Sequence, residues 1–199
     1  MNPDTSIAFF DRQFRQQVQK QDFELNPFER LILPHLKGCV LDFGCGLGNL
    51  SLAAAARGCS VLALDASPTA IAHLRQRAKS SGLELDAIEA DLRTYPVDGY
   101  FDSVVSVGLL MFFDCASALH TLSMLQDCVR PGGIAAVNVL VEGTTYLDMF
   151  QPGQYCLFSR HELGSRFAGW NGIHSEYSEF DAPGNTVKCF ATIIARKSG

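Results

Sequence analysis

The chain has 199 residues, 47% of them hydrophobic, which suffices for one hydrophobic core and argues against two complete domains. Its formal net charge of −5 disfavours a nucleic-acid substrate, because an acidic protein lacks the broad basic surface that neutralises a phosphate backbone. The longest apolar runs, around residues 50–56 and 104–113, are too short to span a bilayer and the N-terminus does not read as a signal peptide, so we expect a cytoplasmic protein without membrane contacts.

Two helices are predicted at the N-terminal end. Residues 7–20 are polar with apolar side chains at every fourth position, as in a helix that lies across another surface, and residues 28–36 indicate a short second helix. We therefore expect residues 1–38 to form a helical lid and residues 39–199 to form the main domain.

Strands and helices alternate through the middle of the chain. A buried strand at 39–43 runs into a glycine-rich loop at 44–48, which an alanine-rich helix at 50–57 follows. Further strands are predicted at 61–64, 85–90, 103–107 and 134–140, and further helices after Ser67 and at 115–129. This alternation predicts a mainly parallel sheet with right-handed crossovers.

The C-terminal end departs from the alternation. Residues 175–180 and 187–195 are two strand-like runs that the turn at 182–185 joins without a helix, which predicts a hairpin. The predicted fold is therefore α/β: a Rossmann-like, doubly wound, mostly parallel seven-stranded sheet closed by a C-terminal antiparallel hairpin.

The cysteines indicate neither a disulfide framework nor a metal site. There are seven, an odd number, with no Cys-x-x-Cys pair and no histidine at ligand spacing. We expect buried free thiols and no bound metal.

The glycine loop is a candidate binding site. Its sequence, Gly44-Cys45-Gly46-Leu47-Gly48, follows a strand and precedes a helix whose first N–H groups are unpaired, so a nucleotide-like ligand can approach the backbone there. Position 49, where a pyrophosphate-binding fingerprint has its third glycine, is Asn49. A plain tight turn is the alternative interpretation of this loop alone.

Three aspartates lie near the ends of the first three strands. Asp65 follows the first glycine by about 20 residues, the spacing at which a carboxylate binds ribose hydroxyls, although it is also placed to cap the next helix. Asp91 is a candidate partner for an adenine amino group, with Leu92 against the ring. Asp42 lies in an apolar strand, where a carboxylate is unfavourable unless a cation accompanies it; capping of backbone N–H groups is the alternative.

Taken together, these motifs resemble those of class I S-adenosylmethionine-dependent methyltransferases. The resemblance rests on the segments 40–49, 65–68 and 131–133. More narrowly, residues 106–113, 124–133 and 181–192 are similar to the tellurite-resistance (TehB-like) methyltransferases.

The resemblance implies S-adenosylmethionine as the cofactor. It places the cofactor against the first loop and the ends of the following strands, at Asp42, Gly44, Cys45, Gly46, Asn49, Asp65, Ala66, Asp91, Leu92, Ser106 and Val107.

The acceptor is expected to be a small molecule. Residues 106–109 lack the Asn/Asp-Pro-Pro-aromatic turn of many nucleic-acid and amino-group methylating enzymes, which favours a thiolate, a selenium or tellurium anion, or a carboxylate. In the TehB-like family, basic residues around the last hairpin are implicated in substrate handling, but here Ser178, Glu179 and Thr186 flank the hairpin. An organic acceptor of little or no charge is therefore expected to react better than tellurite or selenite.

The candidate acceptor-binding residues are aromatic. They come from the first helix and from the segment after the fifth predicted strand: Phe10, Phe14, Tyr146, Tyr155 and Trp170. Packing in the core is the alternative role for each of them.

Two other functions remain open at this point. A nicotinamide-dependent oxidoreductase is disfavoured by Asn49, by the hairpin and by the absence of a Tyr-x-x-x-Lys pair. A catalytically silent S-adenosylmethionine-binding module would keep the same loop, so the loop does not separate it from an enzyme.

Overall fold

The computed structural model describes residues 5–199, and its centre is a single sheet of seven strands. The strands are β1 (Cys39–Phe43), β2 (Ser60–Asp65), β3 (Asp86–Glu89), β4 (Phe101–Val107), β5 (Val129–Leu140), β6 (Asn171–Ala182) and β7 (Thr186–Arg196). Their order across the sheet is β3-β2-β1-β4-β5-β7-β6. Strands β1 to β5 pair in parallel, whereas β7 is antiparallel to both β5 and β6.

Six α-helices accompany the sheet within residues 5–199. They are α1 (Thr5–Lys20), α2 (Pro27–Ile32), α3 (Asn49–Ala56), α4 (Pro68–Ser80), α5 (Cys115–Asp127) and α6 (Glu162–Arg166). Short 3-10 helices follow α2 and precede α5, at Leu33–His35 and Leu110–Phe112.

The central parallel strands are buried on both faces, as a parallel sheet between helices requires, whereas the edge strand β6 is largely exposed. Along β1 the apolar side chains alternate, so that Val40 packs with residues of α3 and α4 whereas Leu41 packs with residues of α5. The two cores that result fix the carboxyl ends of β1, β2 and β4 at one edge of the sheet, where the functional site lies.

The predicted fold is confirmed, including the hairpin at its end, but several element bounds differ. The predicted turn at 131–133 lies inside β5, where the pairing with β4 shifts register after Phe101. Strand β6 begins at Asn171 instead of 175. Helix α6 was not predicted, because five residues are too few to show a helical period.

The N-terminal part, predicted as a lid, places α1 against α4 and over the carboxyl edge of the sheet. The Asp11 side chain accepts a hydrogen bond from the Ser67 hydroxyl at 2.8 Å, and Arg15 donates to the Thr69 hydroxyl at 3.4 Å. Residues 1–4 of the predicted lid lie outside the described residues. None of the helices within residues 5–199 combines the length and the apolar character needed to cross a membrane.

The expectation that all seven cysteines are free thiols is wrong. Cys115, at the start of α5, forms a disulfide with Cys156, which lies 41 residues later in the segment between β5 and α6. Cys156 is brought there because its backbone N–H donates to the Met111 carbonyl at 3.0 Å. Two cysteines so far apart meet only through the tertiary fold, so their spacing in the sequence gave no sign of the pairing.

The disulfide predicts a defined thiol count. Protein denatured without reductant should expose five reactive thiols, the number of free cysteines, and all seven after reduction. A colorimetric thiol assay measures both values, and the Cys115→Ser variant should give six in either condition. Seven thiols in the unreduced wild-type protein, purified without reductant, would contradict the pairing.

Candidate functional site

A cavity of about 830 Å³ opens at the carboxyl edge of the sheet. Its floor is formed by the glycine loop and by the ends of β1, β2 and β4, as expected for a ligand site in an open α/β sheet. Helix α1 and the start of α2 cover it from one side, and β5 and β7 bound its far end through Asn138, Lys188 and Phe190.

The glycine loop is shaped by residues in the left-handed region. Gly44, Gly46 and Gly48 have φ of 88°, 52° and 71°, which other residues rarely adopt. A Cβ at Gly46 would lie 3.2 Å from the Phe14 ring, so the helix above the loop needs a glycine there. The loop is anchored because the Leu64 carbonyl accepts hydrogen bonds from the backbone N–H groups of Gly44 and Cys45, both at 2.9 Å.

Asp65 holds this loop and lines the cavity at the same time. One of its carboxylate oxygens accepts a hydrogen bond from the Gly46 backbone N–H at 2.8 Å, and the other accepts one from the Ser67 N–H at 2.8 Å. Burial raises the pKa of Asp65, and these N–H donors counteract the rise. The helix after it begins with Ser67 as its own cap, whose hydroxyl accepts from Ala70 N–H at 3.2 Å. Asp65 therefore fastens the loop to β2.

Asp42 is a buried carboxylate at the centre of the cavity floor. Its side chain is 4% exposed and accepts a hydrogen bond from the Ser51 hydroxyl at 2.6 Å. Burial raises the pKa of Asp42 to about 7, and the nearby carboxylates of Glu29 and Asp65 contribute to the rise. No described residue forms a salt bridge with it. Asp42 is thus a site where a ligand cation would be stabilised.

The remaining cofactor candidates, with one exception, line the cavity. Asn49 does so at the start of α3, where its side chain accepts a hydrogen bond from Arg77 at 2.6 Å. Asp91 is exposed at the mouth, paired with Arg93 at 3.3 Å, and Leu92 is buried beside it. The other lining candidates are Gly44, Cys45, Gly46, Ala66 and Val107. Ser106 does not line the cavity: it is 1% exposed within β4, and its hydroxyl has no hydrogen-bond partner among the described residues.

The far end of the cavity is aromatic. Of the five aromatic candidates, Phe10, Phe14 and Tyr146 line the cavity. Phe10 packs edge-to-face on Phe112, with the ring centroids 4.8 Å apart. Tyr155 does not line the cavity, but its ring stacks on Phe150, 4.7 Å away, behind the wall.

Trp170 lies elsewhere. Its ring packs on Phe167 at 5.3 Å, and Lys197 Nζ lies 5.7 Å from its centroid, in the core on the α5 side of the sheet. The structure therefore does not bring Trp170 together with the other acceptor candidates.

Sequence reasoning missed several polar residues of the cavity, among them Glu29, Asn138 and Lys188. Glu29 forms a reciprocal capping pair with Asn26 at the start of α2, and burial raises its pKa. Asn138 is the polar side chain of the apolar run 134–140 within β5, and Lys188 lies on β7. The sequence reasoning considered Ser178, Glu179 and Thr186 around the hairpin and overlooked Lys188, which lines the cavity. Within residues 5–199, no cluster of His, Cys, Asp and Glu could hold a metal ion.

Comparisons with known proteins agree with this geometry. A protein family described as "Methyltransferase domain" matches residues 40–133. The chain is 27% identical over 165 residues to the probable S-adenosyl-L-methionine-dependent methyltransferase TehB of Haemophilus influenzae (strain 10810), which covers 79% of this chain and 57% of that protein. The crystal structure of TehB from Haemophilus influenzae has a TM-score of 0.77 at 19% identity, covering 92% of this chain and 65% of that one.

Residues 40–133 match a methyltransferase domain, and the chain has the fold of TehB. The N-methyltransferase NodS from Bradyrhizobium japonicum WM9, whose structure holds S-adenosyl-L-homocysteine, has the same fold, with a TM-score of 0.69 at 16% identity over 96% of this chain and 99% of that chain. The predicted resemblance to TehB-like methyltransferases and the predicted cofactor, S-adenosylmethionine, are thereby confirmed. Because the chain spans 57% of the length of that TehB relative, the activity and the acceptor of the whole protein remain proposals.

The domain's cavity fits S-adenosylmethionine. The buried Asp42 carboxylate, without a cation of its own, suits the ammonium group of the methionine part. Glu29 and Asp65 add two more carboxylates without an arginine partner among the described residues, whereas Glu24 and Asp91 are paired with Arg30 and Arg93. Such a site favours a ligand with ammonium and sulfonium charges over one with two phosphates.

Asp42 should lower the stability of the ligand-free protein. Its pKa is about 7 in the folded state and about 3.9 in the unfolded chain, so ionisation disfavours the folded state increasingly as pH rises between these values. Asp42→Asn keeps an acceptor for Ser51 and should raise the free energy of unfolding by about 1–3 kcal/mol at pH ~8, with the gain shrinking towards pH ~5. Urea unfolding at the two pH values measures it. A gain that does not change with pH would contradict the raised pKa.

Asp65→Ala should weaken both the fold and ligand binding. The variant leaves the N–H groups of Gly46 and Ser67 without their acceptor, so we expect the free energy of unfolding to fall by about 1–3 kcal/mol. S-adenosylhomocysteine affinity, measured by calorimetry, should fall at least about tenfold, since the loop loses its anchor. Glu84→Ala, an exposed carboxylate before β3, serves as the control. A variant as stable as the parent would show that Asp65 does not hold the loop.

Proposed function

We propose that this protein transfers a methyl group from S-adenosylmethionine to a small organic molecule. The observation that carries the proposal is one cavity with two unlike ends: a buried, cation-free carboxylate beside the glycine loop, and an aromatic wall opposite. The first end supports a role in binding the cofactor, and the second supports a role in binding an apolar acceptor.

Bound S-adenosylmethionine supplies a methyl group on a positively charged sulfur, which an acceptor takes by in-line displacement, and S-adenosylhomocysteine remains. The chain's own residues position the two partners and exclude water. Asp42 holds the cationic end of the methionine part, and the loop from Gly44 to Gly48 lets the ligand approach the backbone. Asp65 and Asp91 are proposed to bind the ribose and the adenine, and Leu92 to pack on the ring.

Helix α1 is proposed to act as the lid of this site, in line with the division of the sequence into a helical lid (residues 1–38) and a main domain (residues 39–199). Phe10 and Phe14 line the cavity from above, and the 2.8 Å hydrogen bond between Ser67 and Asp11 ties the helix to the first turn of α4. Asp11 is 9% exposed, and hydrogen bonds from Thr69 and Ser67 together with Arg15 lower its pKa although burial opposes this. The lid would keep water from the reacting atoms.

Two alternatives are weighed against this proposal. The carboxylates of Asp42, Asp65 and Glu29 repel the two phosphates of a nicotinamide dinucleotide, which disfavours an oxidoreductase. A silent cofactor-binding module needs no second binding space beside the cofactor. The aromatic end of the cavity is such a space, and it therefore favours an enzyme.

Ligand binding should follow the charge of the cavity. S-adenosylmethionine and S-adenosylhomocysteine should raise the Tm of the wild-type protein, because they bind the folded state, whereas NADH and NADPH should leave it unchanged. In Asp42→Asn both shifts should shrink. The protein is then incubated with S-adenosylmethionine and a panel of thiols, phenols and small acids, and the S-adenosylhomocysteine formed is measured. An enzyme forms it with at least one acceptor, whereas a silent module forms none. Saturable binding of NADH without any response to S-adenosylhomocysteine would refute the proposed cofactor.

A further inference from the structure

We call the end of the cavity lined by Asn138, Tyr146, Lys188 and Phe190 the acceptor half, and the end at the glycine loop the cofactor half. The acceptor half contains a lysine that has no counter-ion among the described residues. Lys188 is half-buried on β7, and its Nζ lies 4.6 Å from the centroid of the Tyr146 ring. It forms no salt bridge with any residue of the described part of the chain. A partly desolvated ammonium group among aromatic rings is a favourable site for an anionic group of a ligand.

A second polar group in this half lacks a partner. Asn138 is 1% exposed, and its side-chain Nδ2 donates to the Thr192 hydroxyl at 2.9 Å, but its Oδ1 accepts no hydrogen bond from any described residue. A buried acceptor left unpaired costs about 1–3 kcal/mol. Asn138 lines the cavity but its Oδ1 is itself buried, so a donor on a bound molecule satisfies it once the side-chain amide rotates towards the cavity.

Asn138 lies next to the cofactor half. Its backbone carbonyl accepts a hydrogen bond from Gly108 N–H at 2.9 Å, and it pairs with Val107 across the ladder between β4 and β5. Val107 and Gly108 both line the cavity at the end of β4. A group held by Asn138 is therefore the part of the acceptor that lies nearest to the bound cofactor.

The strand register sets the distance between the two polar groups. Asn138 is opposite Thr192 on β7, and Lys188 lies four residues before Thr192 on the same face of that strand. Four residues of a strand span about 13 Å. Phe190 lies between them on this face, and its ring packs 5.0 Å from Phe28. The acceptor half is thus an apolar span with a hydrogen-bond acceptor at its inner end and a cation at its outer end.

We propose that the methyl acceptor is an aromatic carboxylic acid with a hydroxyl or thiol at the end remote from its carboxylate. The carboxylate pairs with Lys188, the ring packs against Phe190 and its neighbours, and the hydroxyl or thiol donates its hydrogen to Asn138 Oδ1. This inference rests on the proposed methyl transfer and gives that reaction its substrate class.

The transfer on such an acceptor is balanced. A lone pair of the acceptor oxygen or sulfur forms the new bond to the methyl carbon, and the bond between that carbon and the sulfonium breaks with its electron pair left on S-adenosylhomocysteine. The hydroxyl or thiol proton is released to bulk water through the open mouth of the cavity at the carboxyl edge of the sheet.

A metalloid oxyanion matches this half of the cavity less well. A compact ion reaches either Lys188 or Asn138 but not both, and it leaves the aromatic wall without contacts. The sequence alone predicted an acceptor of little or no charge, and the present proposal assigns it one negative charge because the sequence reasoning overlooked Lys188.

The test measures binding of para-hydroxyphenylpropionate and of its uncharged primary amide to the protein saturated with S-adenosylhomocysteine, by calorimetric titration. We expect the carboxylate to bind at least about tenfold more tightly than the amide. Lys188→Met should remove this preference and leave amide binding unchanged, Lys188→Arg should restore it, and Lys79→Met on the exposed end of α4 should have no effect. Asn138→Leu should weaken both probes at least about fivefold.

The outcomes separate this inference from the proposed function. If S-adenosylhomocysteine itself fails to bind, the proposed methyl transfer is wrong. If S-adenosylhomocysteine binds but the acid and its amide bind equally, or neither binds, the inference about the acceptor is wrong and the methyl transfer stands. Tighter binding of selenite or tellurite than of the acid, lost in Lys188→Met, would overturn it in favour of an oxyanion.

Discussion

The burial of one carboxylate, Asp42, is the constraint on which the site depends. Its strand enters the core between two helical layers, and the side chain has one hydroxyl donor, Ser51, and two like-charged neighbours, Glu29 and Asp65. Burial and repulsion together favour the neutral acid at neutral pH, so the ionised form needs a cation that the described chain does not provide. The fold therefore keeps an unfavourable group at the point where a positively charged ligand would relieve it.

The rest of the cavity is organised around this charge. Asp65 holds the glycine loop beside Asp42 through the Gly46 backbone N–H and the start of α4 through the Ser67 N–H, so that one carboxylate both shapes the loop and adds negative charge. At the other end Lys188 lies on an aromatic wall and has no carboxylate partner within residues 5–199. The cavity is thus negative where a cationic cofactor is proposed to bind and positive where we place the acceptor's carboxylate. This separation orients two ligands without a dedicated catalytic base.

The sequence predicted the sheet, its hairpin and most of the cofactor half, because those features depend on local patterns. Buried strands, glycines that need positive φ, and aspartates at strand ends are visible along the chain, and Asp42 and Asp65 were found in this way. The capping residue Ser67 marked the start of α4, and most of the predicted strand bounds lie within a few residues of the observed ones.

The acceptor half depends on contacts between distant segments, so the sequence predicted less of it. Lys188 lines the cavity only once β7 is inserted between β5 and β6. Trp170 lies away from the cavity because it packs on Phe167 in the core on the α5 side of the sheet. The pairing of Cys115 with Cys156 likewise follows from the packing of the segment after β5. One signal was available: Asn138 interrupts an otherwise apolar strand, and a buried polar residue in such a place calls for a partner.

The central claim, that Asp42 awaits a cation, is tested most directly by following the carboxyl carbon of Asp42 by NMR as pH is varied, with the resonance assigned from Asp42→Asn. In the ligand-free protein the titration midpoint should lie at about 7. With saturating S-adenosylhomocysteine, whose ammonium group we place beside the carboxylate, the midpoint should be lower by about 1–3 pH units. A ligand-free midpoint near the ordinary aspartate value, or a midpoint that the ligand does not move, would contradict the account.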